Sequence, residues 1–229
     1  KEYQPDLGTR RAYDELRAKS KFRTGIADVI KTLNPFTDSQ LSVRVRHFLT
    51  TKDDFAQQVV AERDKAKRAM MLLQQAARLL EKIRPERDSE ASQRWRANYD
   101  LAYAQVLAYR VRLFQYMLLL DRHVRNFQPP PKDPNVSEDR QANQWWVGWT
   151  PTLIEPTDEQ IKLTGVDIEE LRSEEKRARE MFQQVIRNHP RTPWANRAET
   201  ELAQGFGMRL YPVFWDPRYN NRNIKVPTY

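Results

Sequence analysis

The stretch SEASQRWRANYDLAYAQVLAYRVRLFQYMLLLDRHVRNF, residues 89–127, decides the fold. Within it Trp95, Tyr99, Ala102, Val106, Tyr109, Leu113, Tyr116, Leu120, His123 and Phe127 follow in alternating steps of four and three. That spacing is the seam of one long helix. Upstream, Thr51 with Asp54 forms an approximate capping box. Phe55, Val59, Ala66, Met70, Leu73, Ala77, Leu80 and Ile83 then repeat at helical steps over 51–83. Pro85 stops this helix, and Asp88 or Ser89 caps the next. At about 1.5 Å per residue each helix reaches roughly 50–60 Å. A short link between them demands an antiparallel hairpin.

The second helix is apolar on more than one side. Between Leu113 and Leu120 only Gln115 is polar. A two-helix hairpin cannot cover that surface, so other elements must pack across it. The candidates lie on both sides in sequence. Residues 1–8 read as an extended arm. Residues 9–33 carry Tyr13, Leu16, Phe22, Ile26, Val29, Ile30 and Leu33 at the spacing of one or two helices, closed by Asn34-Pro35. Residues 37–50 read as a short helix with Leu41, Val45, Phe48 and Leu49 inward, or as a strand on the alternation Val43-Arg44-Val45-Arg46.

Downstream, Pro129-Pro130-Pro131 ends the helix and opens a Pro/Trp-rich loop over 128–156. Its Trp145, Trp146 and Trp149 admit two readings: an aromatic ligand platform, or an ordered loop laid over the hairpin. The second is favoured, because unstructured loops of this length are uncommon in compact domains. Capping boxes at Thr157/Gln160 and Asp167/Glu170, then Thr192-Pro193, start three further helices within 157–204. Residues 205–229 form an aromatic tail without helical period. The tail is expected to pack on the chain as far as Trp215. Beyond it, Asp216–Tyr229, with Tyr219 and Tyr229, is the better candidate for an intermolecular contact. The fold class expected is therefore all-α: domain 9–127 with the hairpin (51–83 and 89–127) at its centre, and a helical pair after it.

Composition narrows function. The 229 residues carry a net charge of +8, 31% charged residues, 6 Gly and no Cys, with a mean hydropathy of −0.85. Without cysteine there is no disulfide framework or thiolate chemistry. The densest apolar run is bounded by Arg110 and Arg112 on one side and by Asp121 and Arg122 on the other, so it is too short to span a membrane. The excess positive charge lies in residues 1–127. A nucleic-acid surface would cluster it on one face, whereas Glu62-Arg63-Asp64-Lys65 alternates in sign. The glycines form no phosphate loop. His47, His123 and His189 lie far apart, and the last two read as structural. No Ser has a Gly-x-Ser-x-Gly setting. No metal, cofactor or catalytic residue is expected. The chain opens at Lys1 with neither an initiator Met nor a signal-peptide pattern, which reads as a trimmed or processed product with address and chemistry upstream.

Two resemblances add to this reading. Ala178, Phe182, Val185 and Pro190, followed by Trp194 and Ala198, resemble one tetratricopeptide junction, in which such positions pack helix on helix. The pattern puts Trp194 between the last two helices, near Phe182. More widely, Gly25-Ile-Ala-Asp-Val-Ile-Lys, Asn34-Pro-Phe-Thr-Asp, Asp54-Phe-Ala-Gln-Gln-Val-Val, Arg94-Trp-Arg-Ala-Asn-Tyr-Asp-Leu-Ala-Tyr and His189-Pro-Arg-Thr-Pro-Trp-Ala resemble the helical region that follows a von Willebrand factor A domain in large planctomycete proteins. The metal-binding Asp-x-Ser-x-Ser of that domain is absent here. The resemblance implies a helical module of an envelope-associated protein with no assigned reaction. The leading expectation is thus a non-catalytic scaffold or interaction module, acting on a protein partner or a second copy. Its interaction candidates are Trp145, Trp146, Trp149, Phe182, Trp194, Trp215, Tyr219 and Tyr229. The alternatives are a basic surface for nucleic acid or another polyanion and, third, a cryptic hydrolase.

Overall fold

The computed structural model describes Tyr3, residues 8–216 and Arg218. It contains α1 (Arg10–Ala18), α2 (Lys21–Thr32), α3 (Lys52–Ile83), α4 (Gln93–Arg125), β1 (Gln144–Thr150), α5 (Asp158–Thr164), α6 (Ile168–Asn188), α7 (Pro193–Gln204) and β2 (Gly207–Val213). The molecule is mostly helical. The all-α expectation is corrected by β1 and β2, which pair antiparallel with Trp146 opposite Tyr211 and Thr150 opposite Gly207.

The hairpin is antiparallel. Phe55 near the start of α3 meets the rings of His123 and Phe127 at the far end of α4 (4.6 and 6.2 Å). Tyr99 near the start of α4 donates its hydroxyl to the Leu80 carbonyl at 2.9 Å. The Thr51 hydroxyl caps α3 by accepting from the Asp54 amide. The expected cap of α4 at Asp88 or Ser89 falls instead at Ser92. The reason lies in Glu90. Its carboxylate takes the Arg23 guanidinium at 2.7 and 2.9 Å and the Ser92 amide at 2.9 Å, so the connection is drawn onto α2 before α4 begins.

Helix α4 is the centre of the molecule. Val111 through Tyr116 are all buried, which requires cover on every side. Helix α3 lies on one side and α6 on another, with α2, α7 and β2 closing the rest. Burying each large apolar side chain contributes roughly 1.5–3 kcal/mol. The polar groups inside are satisfied by matching partners. The Gln115 carboxamide donates to the Ile154 carbonyl (2.9 Å) and accepts from the Ile154 amide (2.5 Å), fastening the segment after β1 to α4. The Arg112 guanidinium ion-pairs with the Glu201 carboxylate and donates to the carbonyls of Glu201 (2.8 Å) and Gly205 (2.9 and 3.0 Å). It thereby occupies carbonyls at the C-terminus of α7, where a cation is favoured.

Residues 37–50 are not the short helix of the first reading. After a 3-10 turn at Ser39–Leu41 the chain extends. Phe48 and Trp145 then exchange backbone hydrogen bonds (3.1 and 2.9 Å), and Val147 donates to Val45 (2.8 Å). This segment runs along the edge of β1 opposite β2. The alternation at Val43–Arg46 was the better guide, because a side-chain period of two fits a pleated backbone. The same physics corrects the expectations of an irregular loop and tail: β1 lies within 128–156 and β2 within 205–229. The arm, apart from Tyr3 and Gly8, and the tail end with Tyr219 and Tyr229 lie outside the described residues.

Candidate functional site

Strand alternation sorts the tryptophans. Trp145 and Val147 point into the core and are buried, while Trp146 and Gly148 occupy the outer face. Tyr211 stands opposite Trp146, and Arg209 shares its side of β2. A β-carbon at Gly148 would lie 2.7 Å from Tyr211 Cε1, so the phenol ring rests across the glycine. Around Trp146 the rings of His47 (5.5 Å), Trp215 (6.1 Å) and Tyr211 (6.4 Å) form one cluster, with His47 4.8 Å from Trp215. The Arg46 guanidinium lies 4.8 Å from the Trp146 ring centre, at cation–π distance.

These rings are braced by two neighbours in sequence. Gln144 Oε1 accepts from the Trp146 indole at 3.2 Å and lies 2.7 Å from His47 Nδ1. A carbonyl oxygen can only accept, so His47 donates from Nδ1. Asn143 clamps the Trp215 backbone, donating to its carbonyl and accepting from its amide, both at 2.9 Å. His47 itself sits at φ 62°, a left-handed conformation that is costly outside glycine. Such strain persists only where the surroundings enforce it.

Of the residues singled out in sequence, Trp146 and Trp215 come together on this face. Trp145 lies behind it, its ring 5.1 Å from His123. The Trp145 Nε1 and His123 Nε2 atoms are both buried without a hydrogen-bond partner among the described residues. Trp149 is 41% exposed, with the Arg112 guanidinium 4.9 Å from its ring. Phe182 is wholly buried on α6. Trp194 is half-buried and donates its indole N–H to Asn98 at 2.8 Å, which ties α7 to α4. Sequence reasoning missed His47, Tyr211, Asn143 and Gln144. No local signal marks them: they join the site only through the long-range pairing of β1 with β2 and with residues 45–48.

A second polar constellation lies at the other end of α4. Arg87 forks onto both Asp100 oxygens (2.8 and 2.5 Å), and His189 Nε2 sits 2.9 Å from Asp100 Oδ2. The Tyr3 hydroxyl lies 2.9 Å from His189 Nδ1. Burial alone would raise the Asp100 pKa, but the Arg87 and His189 hydrogen bonds outweigh it and hold the carboxyl below its usual range. Both carboxylate oxygens are engaged within the chain, so this group fastens the hairpin tip to the end of α6, as expected for a structural His189.

Among the described residues no group of three or more His, Asp or Glu side chains converges on a metal position. No described helix is long and apolar enough to cross a membrane. No protein-family model, curated protein or solved structure matches the chain. Its class is thus defined by its own geometry: a helical protein built on a long hairpin, with a two-stranded sheet that carries an aromatic outer face.

Proposed function

We propose that the chain is a non-catalytic interaction module whose contact surface is the outer face of the sheet. One observation carries the reading: Trp146, Tyr211, Trp215 and His47 form a single ring cluster outside the core, held in fixed orientation by Asn143 and Gln144. Tryptophan, tyrosine and arginine dominate binding hot spots, and rings already held in place lose little entropy on association. The partner is a protein segment or a second copy of the chain. The likeness of the α6–α7 corner to a tetratricopeptide junction, and of the chain to the helical region following von Willebrand factor A domains, supports a part in a larger envelope-associated assembly.

Sedimentation velocity of the wild type and the Trp146→Ala/Trp215→Ala variant tests this reading. Concentration-dependent association should weaken at least tenfold in the variant while its helical circular dichroism stays unchanged. Equal association of the two proteins would remove the sheet face as the contact.

Arg46 and Arg209 beside the rings favour a second reading, a single-stranded polyanion whose bases stack on the aromatic side chains. Anisotropy titration with a labelled single-stranded oligonucleotide separates the two. Affinity that falls steeply with salt supports the polyanion, and absence of binding at low salt removes it.

A further inference from the structure

A cavity of about 350 Å³ lies where α2, α3, α4 and the inner side of the sheet meet. Native interiors hold few voids larger than a water molecule. Ligand pockets begin at about 300 Å³, are mostly apolar and carry a few placed polar groups. This cavity fits that description. Its walls include Leu33 of α2, Leu73 of α3, Leu113 of α4 and Met208 of β2. Ile30 and Trp149, 52% and 41% exposed, border it and mark its opening to solvent.

The polar wall sets the ligand's charge. Arg112 reaches the cavity, but it is ion-paired with Glu201, which Arg197 shares at 2.7 Å, and it already donates to the Glu201 and Gly205 carbonyls. The Tyr109 hydroxyl donates to Glu201 at 3.0 Å, and burial raises its pKa, so it stays neutral. Gln105 donates its amide to Glu201 at 2.9 Å, and its Oε1 accepts no hydrogen bond from the described residues. The one charged side chain on the wall, Arg112, is thus already engaged, and one acceptor stays open. A carboxylate entering here would have to compete with Glu201 and two backbone carbonyls for the Arg112 guanidinium. An ammonium would exchange water for an apolar wall, at a cost no single amide oxygen offsets.

We propose that this cavity binds a small uncharged lipophilic molecule bearing a hydroxyl, its hydrocarbon against Leu33, Leu73 and Leu113 and its O–H donating to Gln105 Oε1. The inference is independent of the outer sheet face, which lies on the opposite side of β1. At about 30 Å³ per small group there is room for roughly a dozen non-hydrogen atoms, which matches a ten-carbon alcohol.

The test uses 1-decanol, decanoate and decyltrimethylammonium as probes at pH 7.5. Decanol should bind saturably and raise the melting temperature, and the two charged probes should bind at least tenfold more weakly. Gln105→Leu should weaken decanol binding about three- to tenfold, the range expected for one hydrogen bond. Ala69→Phe, which fills the cavity from α3, should abolish it. Because that variant also stresses the core, location is read separately. A bromine-tagged decanol should quench tryptophan emission in the wild type and lose that quenching in Trp149→Phe. Failure of decanol to saturate, equal binding of decanoate, or quenching unaffected by Trp149→Phe would each overturn the proposal.

Discussion

At His123 the core holds an imidazole among Phe55, Phe127 and Trp145 with Nε2 unpartnered, and burial pushes its pKa below the ordinary histidine value of 6.5. The unfolded chain then binds the proton more readily than the folded one, so stability present above pH 6.5 is lost as pH falls below that value. His123→Phe removes both the orphaned nitrogen and the titration. Urea unfolding at pH 7.5 and 5.5 should show a smaller loss for the variant than for the wild type. Two leucines give a second comparison at this scale. Leu80 is fully buried, whereas Leu113 is 7% exposed and borders the cavity. Both should cost about 2–5 kcal/mol on truncation to alanine, Leu113 the less of the two. A loss below about 0.5 kcal/mol at Leu113 would place it on the surface.

Among the elements, the hairpin was readable because its signal is long and local. The step pattern from Trp95 to Phe127 repeats many times, and Thr51, Thr157, Asp167 and Thr192 each cap a helix, although the reciprocal box is complete only at Thr157. The sheet was not, because each strand has seven residues and its partner lies some sixty positions away. No local pattern in Trp145–Trp149 says that Tyr211 will stand opposite Trp146. The aromatic site shared that fate: Trp146 and Trp215 could be singled out by residue type, but His47 enters only through tertiary pairing. Gly207 depends on that pairing too. A β-carbon there would lie 1.8 Å from the Thr152 carbonyl oxygen, and a backbone atom cannot rotate away. Gly207→Ala should cost at least about 1–3 kcal/mol in urea unfolding. Gly148→Ala meets a ring that can move, so its main effect should be a changed near-ultraviolet circular dichroism from Tyr211.

For the whole molecule, acid response follows the carboxylates whose pKa is displaced by their surroundings, and these shift chiefly downward. Burial raises and hydrogen bonds lower the pKa of Asp100 and Glu201, with a net decrease in both; for Glu90 the Arg23 bonds lead. Glu174, raised mainly by burial, opposes them. Lowered carboxylates stabilise the fold above their unfolded values of 3.8 and 4.5, and that stability is lost as pH falls through the folded values. Thermal melting should therefore be level above about pH 6.5, decline slightly below it as His123 opposes folding, and fall progressively below about pH 4.5. Truncation after Gln204 should have a different signature. It removes Phe206 and Met208 from the core and exposes an edge of β1, so the shortened chain should aggregate rather than melt at a slightly lower temperature.

The grip of Arg112 on α7 also reaches into the timing of motion. Helix ends ordinarily fray, and their amides trade protons with solvent through small local openings. Here the carbonyls of Glu201 and Gly205 are held by a guanidinium rooted in the most enclosed stretch of α4. Releasing them means unseating a buried charge as well. The last turn of α7 should accordingly open only when the hairpin itself opens. In deuterium exchange its amides should match the slowest protons of α4, and in Arg112→Met they should exchange early while α4 stays protected.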